Sequence, residues 1–271
     1  MLDRVFLAIA AAILLLLLVV VVFAPWLQTH DPLLQDFAAA DQGLSAVHWL
    51  GADEYGRDIF SRLIEGARLS ITIGVAAPML AALVGISLGT ASAFFGGWAE
   101  AIVTRLTDMM MSFDPLLLGV LIVALLGPGV QNLSIAIAAA LVPSFIRLSR
   151  ASALSVKREA YVDASIAMGR GKFGTIGMHV LPNIAGPLIV MLTIWIGSAI
   201  RLEASLSFIG LGAQAPAPSW GNMVREGVAD IFGSPLPAIF AGLAITLTVL
   251  AFNILGDRLR DRLDPDRVTG R

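Results

Sequence analysis

Cysteine is absent from the 271-residue chain and lysine is nearly so, and each deficit excludes a class of site. Without cysteine there is no disulfide framework, no thiolate metal site and no cysteine nucleophile. The two lysines, Lys157 and Lys172, lie outside any G-x-x-x-x-G-K-S/T sequence, so we expect no P-loop for ATP. The histidines, His30, His48 and His179, are scattered without a metal-binding spacing, and no nucleophile–base–acid arrangement is visible. The sequence therefore predicts no catalytic residue, metal or cofactor.

Charged residues are also scarce, while apolar residues dominate. Asp, Glu, Lys and Arg make up 14% of the chain, hydrophobic residues make up 57%, and the mean hydropathy is +0.84. This composition is too apolar for an ordinary soluble domain. A bilayer crossing needs about 20 apolar residues, and we predict an all-α membrane protein with six transmembrane helices. The predicted spans are residues 5–24, 68–95, 102–126, 133–146, 184–208 and 235–255.

The first span admits two interpretations. Residues 5–24 form an unbroken apolar run behind a short charged start, which is also the pattern of a secretory signal peptide. The run is longer than a typical signal-peptide core, and Phe23-Ala24-Pro25-Trp26 is a poor cleavage site. We therefore expect a retained helix, with Trp26 at the outer interface, where tryptophan is favoured.

The distribution of positive charge predicts the orientation of the six spans. With the amino terminus inside, 13 of the 18 Lys and Arg residues fall on the inner side. The other five are Arg57, Arg62, Arg68, Arg201 and Arg225. Because Lys and Arg concentrate in cytoplasmic loops, both termini are expected to be cytoplasmic. The same topology explains the basic loops without a nucleic acid partner.

The longest polar loop between the later spans, residues 158–183, predicts two short helices. Residues 159–168 contain good helix formers, with Ala160 and Ala164 on one face at i, i+4 spacing. Gly169 is expected to end this helix, because glycine adopts left-handed backbone angles at low cost. A second run, residues 173–180, is expected to end at Leu181-Pro182.

The outer segment, residues 26–67, is rich in acidic residues. Asp53, Glu54 and Asp58 can coordinate a cation, but the interleaved Arg57 and Arg62 favour an interpretation in which these groups brace a loop.

Two acidic residues are candidates for the wall of a solute path, each with a structural alternative. Asp114 precedes Pro115 inside a predicted span, where an acid should face the bundle or a water-filled path, or satisfy the backbone near the proline. Glu203 lies near the outer end of the fifth span, where it can meet a solute, or pair with Arg201 or with another subunit.

Three strings resemble a known family, the C-type permease subunit of dipeptide and oligopeptide ABC importers. They are LGADEYGRDIFSRLIEGARLS at residues 50–70, the loop at 159–183 and EASLSFIGLGAQAPAPSWGNM at 203–223. The loop resembles the EAA loop of such permeases, with Ser165 where a second alanine is usual. Arg201 also departs from the pattern, because the family's approach to Glu203 is usually apolar. The ending at residues 256–265 resembles the family's GDxLRDxLDP tail.

The resemblance implies a type I ABC importer permease fold with cytoplasmic coupling helices, in a bacterial inner membrane. The residues implied in coupling are Glu159, Ala160, Ala164, Gly169, Leu181 and Pro182. The implied partners are a homologous permease subunit, two ATP-binding subunits that hydrolyse the ATP, an extracytoplasmic solute-binding protein and the lipid bilayer. The implied solutes are di- or oligopeptides, with nickel complexes, haem or glutathione as alternatives.

We predict three regions along the chain: residues 1–67 (first helix and outer segment), 68–256 (permease core with the loop at 158–183) and 257–271 (cytoplasmic tail). A stand-alone channel or secondary transporter would also have six spans, but no Asn-Pro-Ala motif and no obvious inverted repeat is present. A membrane enzyme would need reactive groups clustered at one depth, which the sequence lacks.

Overall fold

A computed structural model describes residues 2–263, and within that range the regular elements are helices joined by loops, with no β-strand. The all-α prediction is therefore confirmed. A short 3₁₀ turn (Phe37–Ala39) lies in the outer segment, and a π-helical turn (Ile176–Val180) lies in the loop. The helices are α1 (Leu2–Leu27), α2 (Ile59–Phe95), α3 (Gly97–Met111), α4 (Pro115–Leu126), α5 (Val130–Val156), α6 (Ala160–Ala167), α7 (Lys172–Thr175), α8 (Leu181–Phe208), α9 (Trp220–Ala229) and α10 (Leu236–Leu263).

Five helical stretches are long and apolar enough to cross a membrane: α1, α2, α5, α8 with its preceding turns, and α10. The helices α3 and α4 supply a sixth crossing if the bent pair is counted as one. The apolar core lies where α2, α5 and α8 meet, around Ile73, Leu141, Phe145 and Leu206. Helix α1 packs on α10 and α2 at the side of this bundle.

The third predicted span, residues 102–126, is wrong as one straight helix. The axes of α3 and α4 meet at 98° across a break at residues 112–114. Proline has no N–H and disfavours helical angles in the residue before it, and Asp114 is accordingly extended, at φ −63° and ψ 138°. Its carboxylate accepts a hydrogen bond of 2.8 Å from the Leu116 N–H. Asp114 thus satisfies the backbone at the proline, as the structural alternative predicted.

Helices α2 and α10 are longer than their predicted spans. Helix α2 starts at Ile59 rather than Arg68 and is 37 residues long, or about 55 Å at about 1.5 Å per residue. It therefore exceeds the hydrocarbon core of about 30 Å. Helix α10 continues past Leu255 to Leu263, so it crosses the predicted start of the tail without a break. The remaining tail, residues 264–271, lies outside the described residues.

Two glycines let α2 and α5 approach closely. A Cβ atom on Gly85 would lie 2.5 Å from the Cβ of Phe145, and one on Gly89 would lie 2.5 Å from the carbonyl oxygen of Ile146. The Ser149 hydroxyl crosses the same contact and donates to the Gly85 carbonyl at 3.2 Å. The G-x-x-x-G pattern is therefore a packing site between membrane helices.

Gly85→Ala is expected to destabilise the protein by about 1–3 kcal/mol, because the added methyl group overpacks a tight helix contact. The matched control is Gly242→Ala in α10, where an added Cβ meets no atom within 4 Å. That control should be neutral or slightly stabilising, since alanine is the better helix former. Thermal unfolding of the purified protein in detergent measures both. Equal unfolding midpoints for the two variants would contradict this account of the α2–α5 contact.

Candidate functional site

The loop at residues 158–183 holds a short helix whose two faces differ in exposure. In α6, Val162 and Ser165 are buried against the body of the protein, whereas Ala160 and Ala164 are exposed. The predicted alanine face thus points away from the bundle. Ser165, the one departure from the resembling motif, lies on the inward face, so it leaves the exposed face unchanged.

The predicted exit of this helix at Gly169 is confirmed. Gly169 has φ +85°, and the N–H of Arg170 bonds to the carbonyl of Ser165 at 3.2 Å. The N–H of Gly169 also bonds to the carbonyl of Ile166 at 2.9 Å. This is the glycine-ended arrangement that satisfies the last carbonyls of a helix, and it turns the chain sharply towards Lys172.

The expectation that Leu181-Pro182 ends the second helix is wrong. The chain passes from α7 through the π-helical turn directly into α8, so that residues 172–208 form one helical stretch of 37 residues. The N–H of Leu181 bonds to the carbonyl of Ile176, five residues back. The wider turn places Pro182 in the first turn of α8, where its missing N–H costs little.

The loop is tied to the carboxyl-terminal end of α2 and carries exposed apolar side chains. The Lys157 ammonium donates to the carbonyls of Ala93 and Phe94, at 2.9 and 3.3 Å, and so satisfies the last turn of α2. The rings of Phe95 and Phe173 lie 5.3 Å apart. The exposed apolar residues on α6 and the turns that follow it are Tyr161, Ile166, Met168, Phe173 and Met178. An apolar patch on a loop of this kind is typical of a protein interface.

On the opposite side of the bundle, four charged side chains brace the outer loops. Arg57 donates to Asp53 at 2.7 Å and to Glu226 at 2.9 Å, and Arg62 donates to Glu226 at 2.8 Å. The side chains of Asp53, Arg57 and Arg62 are at most 5% exposed. The network joins the outer segment, the start of α2 and α9, which confirms the interpretation of these charges as a brace.

The sequence did not reveal a second outer cluster, which joins His30 and His48 to Asp58. The ring centroids of the two histidines lie 4.9 Å apart, and His48 Nδ1 lies 3.0 Å from the Asp58 carboxylate. The expectation of scattered histidines is therefore wrong for these two. One ligand atom from each of the three residues lies within 4.8 Å of the others, a spacing that a metal ion can bridge.

The hydrogen bonds of Asp58 give this cluster a structural role, because Asp58 caps the amino-terminal end of α2. Its carboxylate accepts from the Ser61 N–H at 2.8 Å and the Ser61 hydroxyl at 2.7 Å, as a helix N-cap does. Burial opposes ionisation, but the hydrogen bonds from Ser61 and His48, with His30 nearby, hold the pKa of Asp58 below its usual range. No short sequence signal joins residues 30, 48 and 58, because the contact depends on how the outer segment folds back.

The two candidate path residues lie in different surroundings. Glu203 is fully buried and accepts a 2.8 Å hydrogen bond from the Ser207 hydroxyl. Asp114 is exposed and lines a cavity of about 390 Å³ together with Arg201. Arg201 donates to the Ser198 hydroxyl at 3.1 Å, and within residues 2–263 it forms no ion pair with Glu203. The two candidates are therefore not brought together, and Asp114 alone faces an open space.

Comparisons with known proteins all identify membrane permease components of transport systems. Residues 81–268 match the family described as the binding-protein-dependent transport system inner membrane component. The chain is 41% identical over 230 residues to the glutathione transport system permease protein GsiD of Pectobacterium atrosepticum, covering 85% of this chain and 76% of that protein. It is 43% identical over 244 residues to the dipeptide transport system permease protein DppC of Alkalihalophilus pseudofirmus, covering 90% and 80%. The probable D,D-dipeptide transport system permease protein DdpC of Escherichia coli K12 is also 43% identical, with 90% and 82% covered.

Proposed function

The chain belongs to the family of inner membrane components of binding-protein-dependent transport systems, and from that premise we propose that it carries short peptides into the cell. As a multi-pass permease subunit of an ABC importer, it works with an ATPase and a solute-binding protein. We propose the finer arrangement as well: a homologous permease completes the path, two ATP-binding subunits dock inside and hydrolyse the ATP, and the binding protein delivers solute outside.

The proposed docking element is the loop at residues 158–183. The observation that carries it is the exposed Ala160/Ala164 face of α6, with Glu159 at its start and the left-handed turn at Gly169 after it. Small side chains permit close approach to a partner groove, and the exposed apolar residues around them supply area to bury. Leu181 and Pro182 join this loop to α8. The test is recovery of ATPase subunits with the purified permease, with and without substitutions in this loop.

Short peptides are the solute class that the relatives support, since two of them are named for dipeptides and one for glutathione, which is itself a peptide. Identification of the small molecule held by the cognate binding protein, followed by its uptake into vesicles containing the full importer, tests this assignment. A nickel complex or haem on the binding protein would exclude it, while leaving the role as an importer permease intact.

Both termini and the loop at 158–183 are proposed to lie in the cytoplasm, and the division at 67/68 and 256/257 stays a prediction. Because the protein has no cysteine, single introduced cysteines can be labelled without background. A cysteine at the fully exposed Phe232 should react with an impermeant reagent in intact cells, and one at the exposed Lys172 only after lysis. The sequence suggests Asp41 or Ser219 for the outer probe; Asp41 is exposed and also suitable, whereas Ser219 is buried and caps α9, so a cysteine there would react poorly. Labelling of position 172 in intact cells would overturn the orientation.

A further inference from the structure

The outer half of α8 carries an arginine, Arg201, that forms no ion pair with any acidic residue among the described residues 2–263. Arg201 is exposed, and among the described residues 2–263 its one polar side-chain contact is the Ser198 hydroxyl at 3.1 Å. Residues two apart on a helix point to different sides, and Glu203 accordingly turns into the protein, towards Ser207. The positive charge is therefore presented to the cavity rather than neutralised inside the chain.

The cavity in front of Arg201 has charged groups of both signs on its wall. Its volume is about 390 Å³, and it is lined by α8 and by the start of α4, where Asp114 lies. The two charges form no ion pair with each other within residues 2–263. The Ser198 and Ser205 side chains and the Trp195 ring line the space between them. Small-molecule sites occupy about 300–1,000 Å³ and combine apolar walls with a few placed polar groups, as here.

The same face of α8 continues inward as a larger apolar groove. Trp195 and Ser198 line both spaces, and the groove extends past Met191 and Gly186 to Arg260 on α10. Its volume is about 520 Å³. One side of α8 is thus a continuous wall that is mostly apolar along its inner part, with Arg260 at the inner end and Arg201 and Asp114 at the other end. Ionisable groups on such a wall of a membrane protein mark a solute path rather than a lipid-facing surface.

We infer that Arg201 binds the carboxylate of the transported solute and that Asp114 faces its ammonium group, so that this cavity selects zwitterions such as short peptides. This inference rests on the proposed function and adds the solute-contacting residues to it. Guanidinium binds carboxylate through two parallel hydrogen bonds, which a lysine ammonium cannot reproduce. Glu203 has no part in this contact, because it is buried on the other side of α8.

The test uses the complete importer in proteoliposomes, with its second permease, ATPases and binding protein. The probes are radiolabelled dialanine and its carboxy-terminal amide, and the affinity of the binding protein for each is measured separately. Arg201→Leu should lower dialanine uptake at least about tenfold, and Arg201→Lys by less, because it keeps the charge but loses the bidentate contact. Uptake of the amide, corrected for delivery by the binding protein, should change little. The control is Arg68→Leu, which removes another exposed outer arginine, one whose weak ion pair to Glu65 spans 3.9 Å.

The outcomes separate this inference from the proposed function. Suppose that the wild-type importer transports dialanine and that Arg201→Leu keeps the wild-type ratio of dialanine to amide uptake. Arg201 then does not bind the solute carboxylate, and the inference is overturned. Loss of the second permease from purified Arg201→Leu complexes would assign Arg201 to the subunit interface and also overturn the inference. If wild type transports neither compound although the binding protein delivers them, the peptide assignment itself fails.

Discussion

Ala164→Arg is expected to abolish solute-stimulated ATP hydrolysis and uptake by the assembled importer, while the amount of permease in the membrane stays at the wild-type level. Ala164 is exposed on α6 and belongs to no membrane-spanning helix, so the substitution leaves the bundle intact. A long charged side chain at the centre of a close-fitting interface costs on the order of tenfold or more in binding. The ATPase subunits should therefore detach, or hydrolyse ATP without response to loaded binding protein.

Gly169→Pro tests the same element by a different route. Gly169 has φ +85° and its N–H bonds to the carbonyl of Ile166. Proline fixes φ near about −65° and has no N–H, so the sharp exit from α6 cannot form. The exposed face should lose its orientation although none of its own side chains has changed.

The matched control for these variants is Ala151→Arg, the same change at an exposed position near the inner end of α5. It should leave coupling near the wild-type level. The measurements are ATP hydrolysis with and without loaded binding protein, and the ratio of ATPase to permease after purification. Full stimulation and full ATPase recovery in both Ala164→Arg and Gly169→Pro would show that this loop is not the coupling element.

Glu226→Ala is expected to destabilise the protein substantially, because it removes the shared partner of two buried arginines. Its carboxylate accepts from both Arg57 and Arg62, whose side chains are 5% and 2% exposed. Removal of one partner from a buried ion pair costs about 3–5 kcal/mol, and here it leaves two buried guanidinium groups with Asp53 as their one remaining carboxylate partner among the described residues. The Glu226 side chain is itself 18% exposed, so solvent should reduce the loss to the lower end of that range.

The measurement for Glu226→Ala is thermal unfolding in detergent, with cysteine labelling near α9 as a local probe. Arg225→Ala, at the exposed neighbouring position, is the control and should have little effect. Glu226→Gln should fall between them, since the amide oxygen can still accept a hydrogen bond but carries no charge. A midpoint for Glu226→Ala equal to that of Arg225→Ala would contradict the view that this network holds α9 on α2.

Features set by local chemistry could be predicted from the sequence. The exit at Gly169 follows from the backbone freedom of glycine. The acidic and basic residues between 53 and 62 indicated a brace because their signs alternate. Each of these predictions depends on residues only a few positions apart, which is why one sequence was sufficient.

Features that depend on several elements together could not be predicted in this way. A hydropathy window averages Asp114 and Pro115 into an apolar span, so it hides the 98° bend between α3 and α4. Pro182 suggested a helix end, because the sequence gives no sign of a wider turn that accommodates it. The contact of His30 and His48 with Asp58, and the open space in front of Arg201, both require the packed chain.

Because the loop passes into α8 without a break, residues 172–208 form one continuous helical stretch that runs from the loop to the cavity. From Lys172 to Arg201 the helical path measures about 44 Å, at about 1.5 Å per residue. The hydrogen bond from the Leu181 N–H to the Ile176 carbonyl closes the π-helical turn immediately before Pro182, so the chain enters α8 without a loop. If residues 172–208 tilted by about 5° about Lys172, the Arg201 side chain would move by about 4 Å, roughly the width of one side chain. The loop at residues 158–183 and the cavity wall at Arg201 are therefore joined by a single helical stretch rather than by a flexible linker.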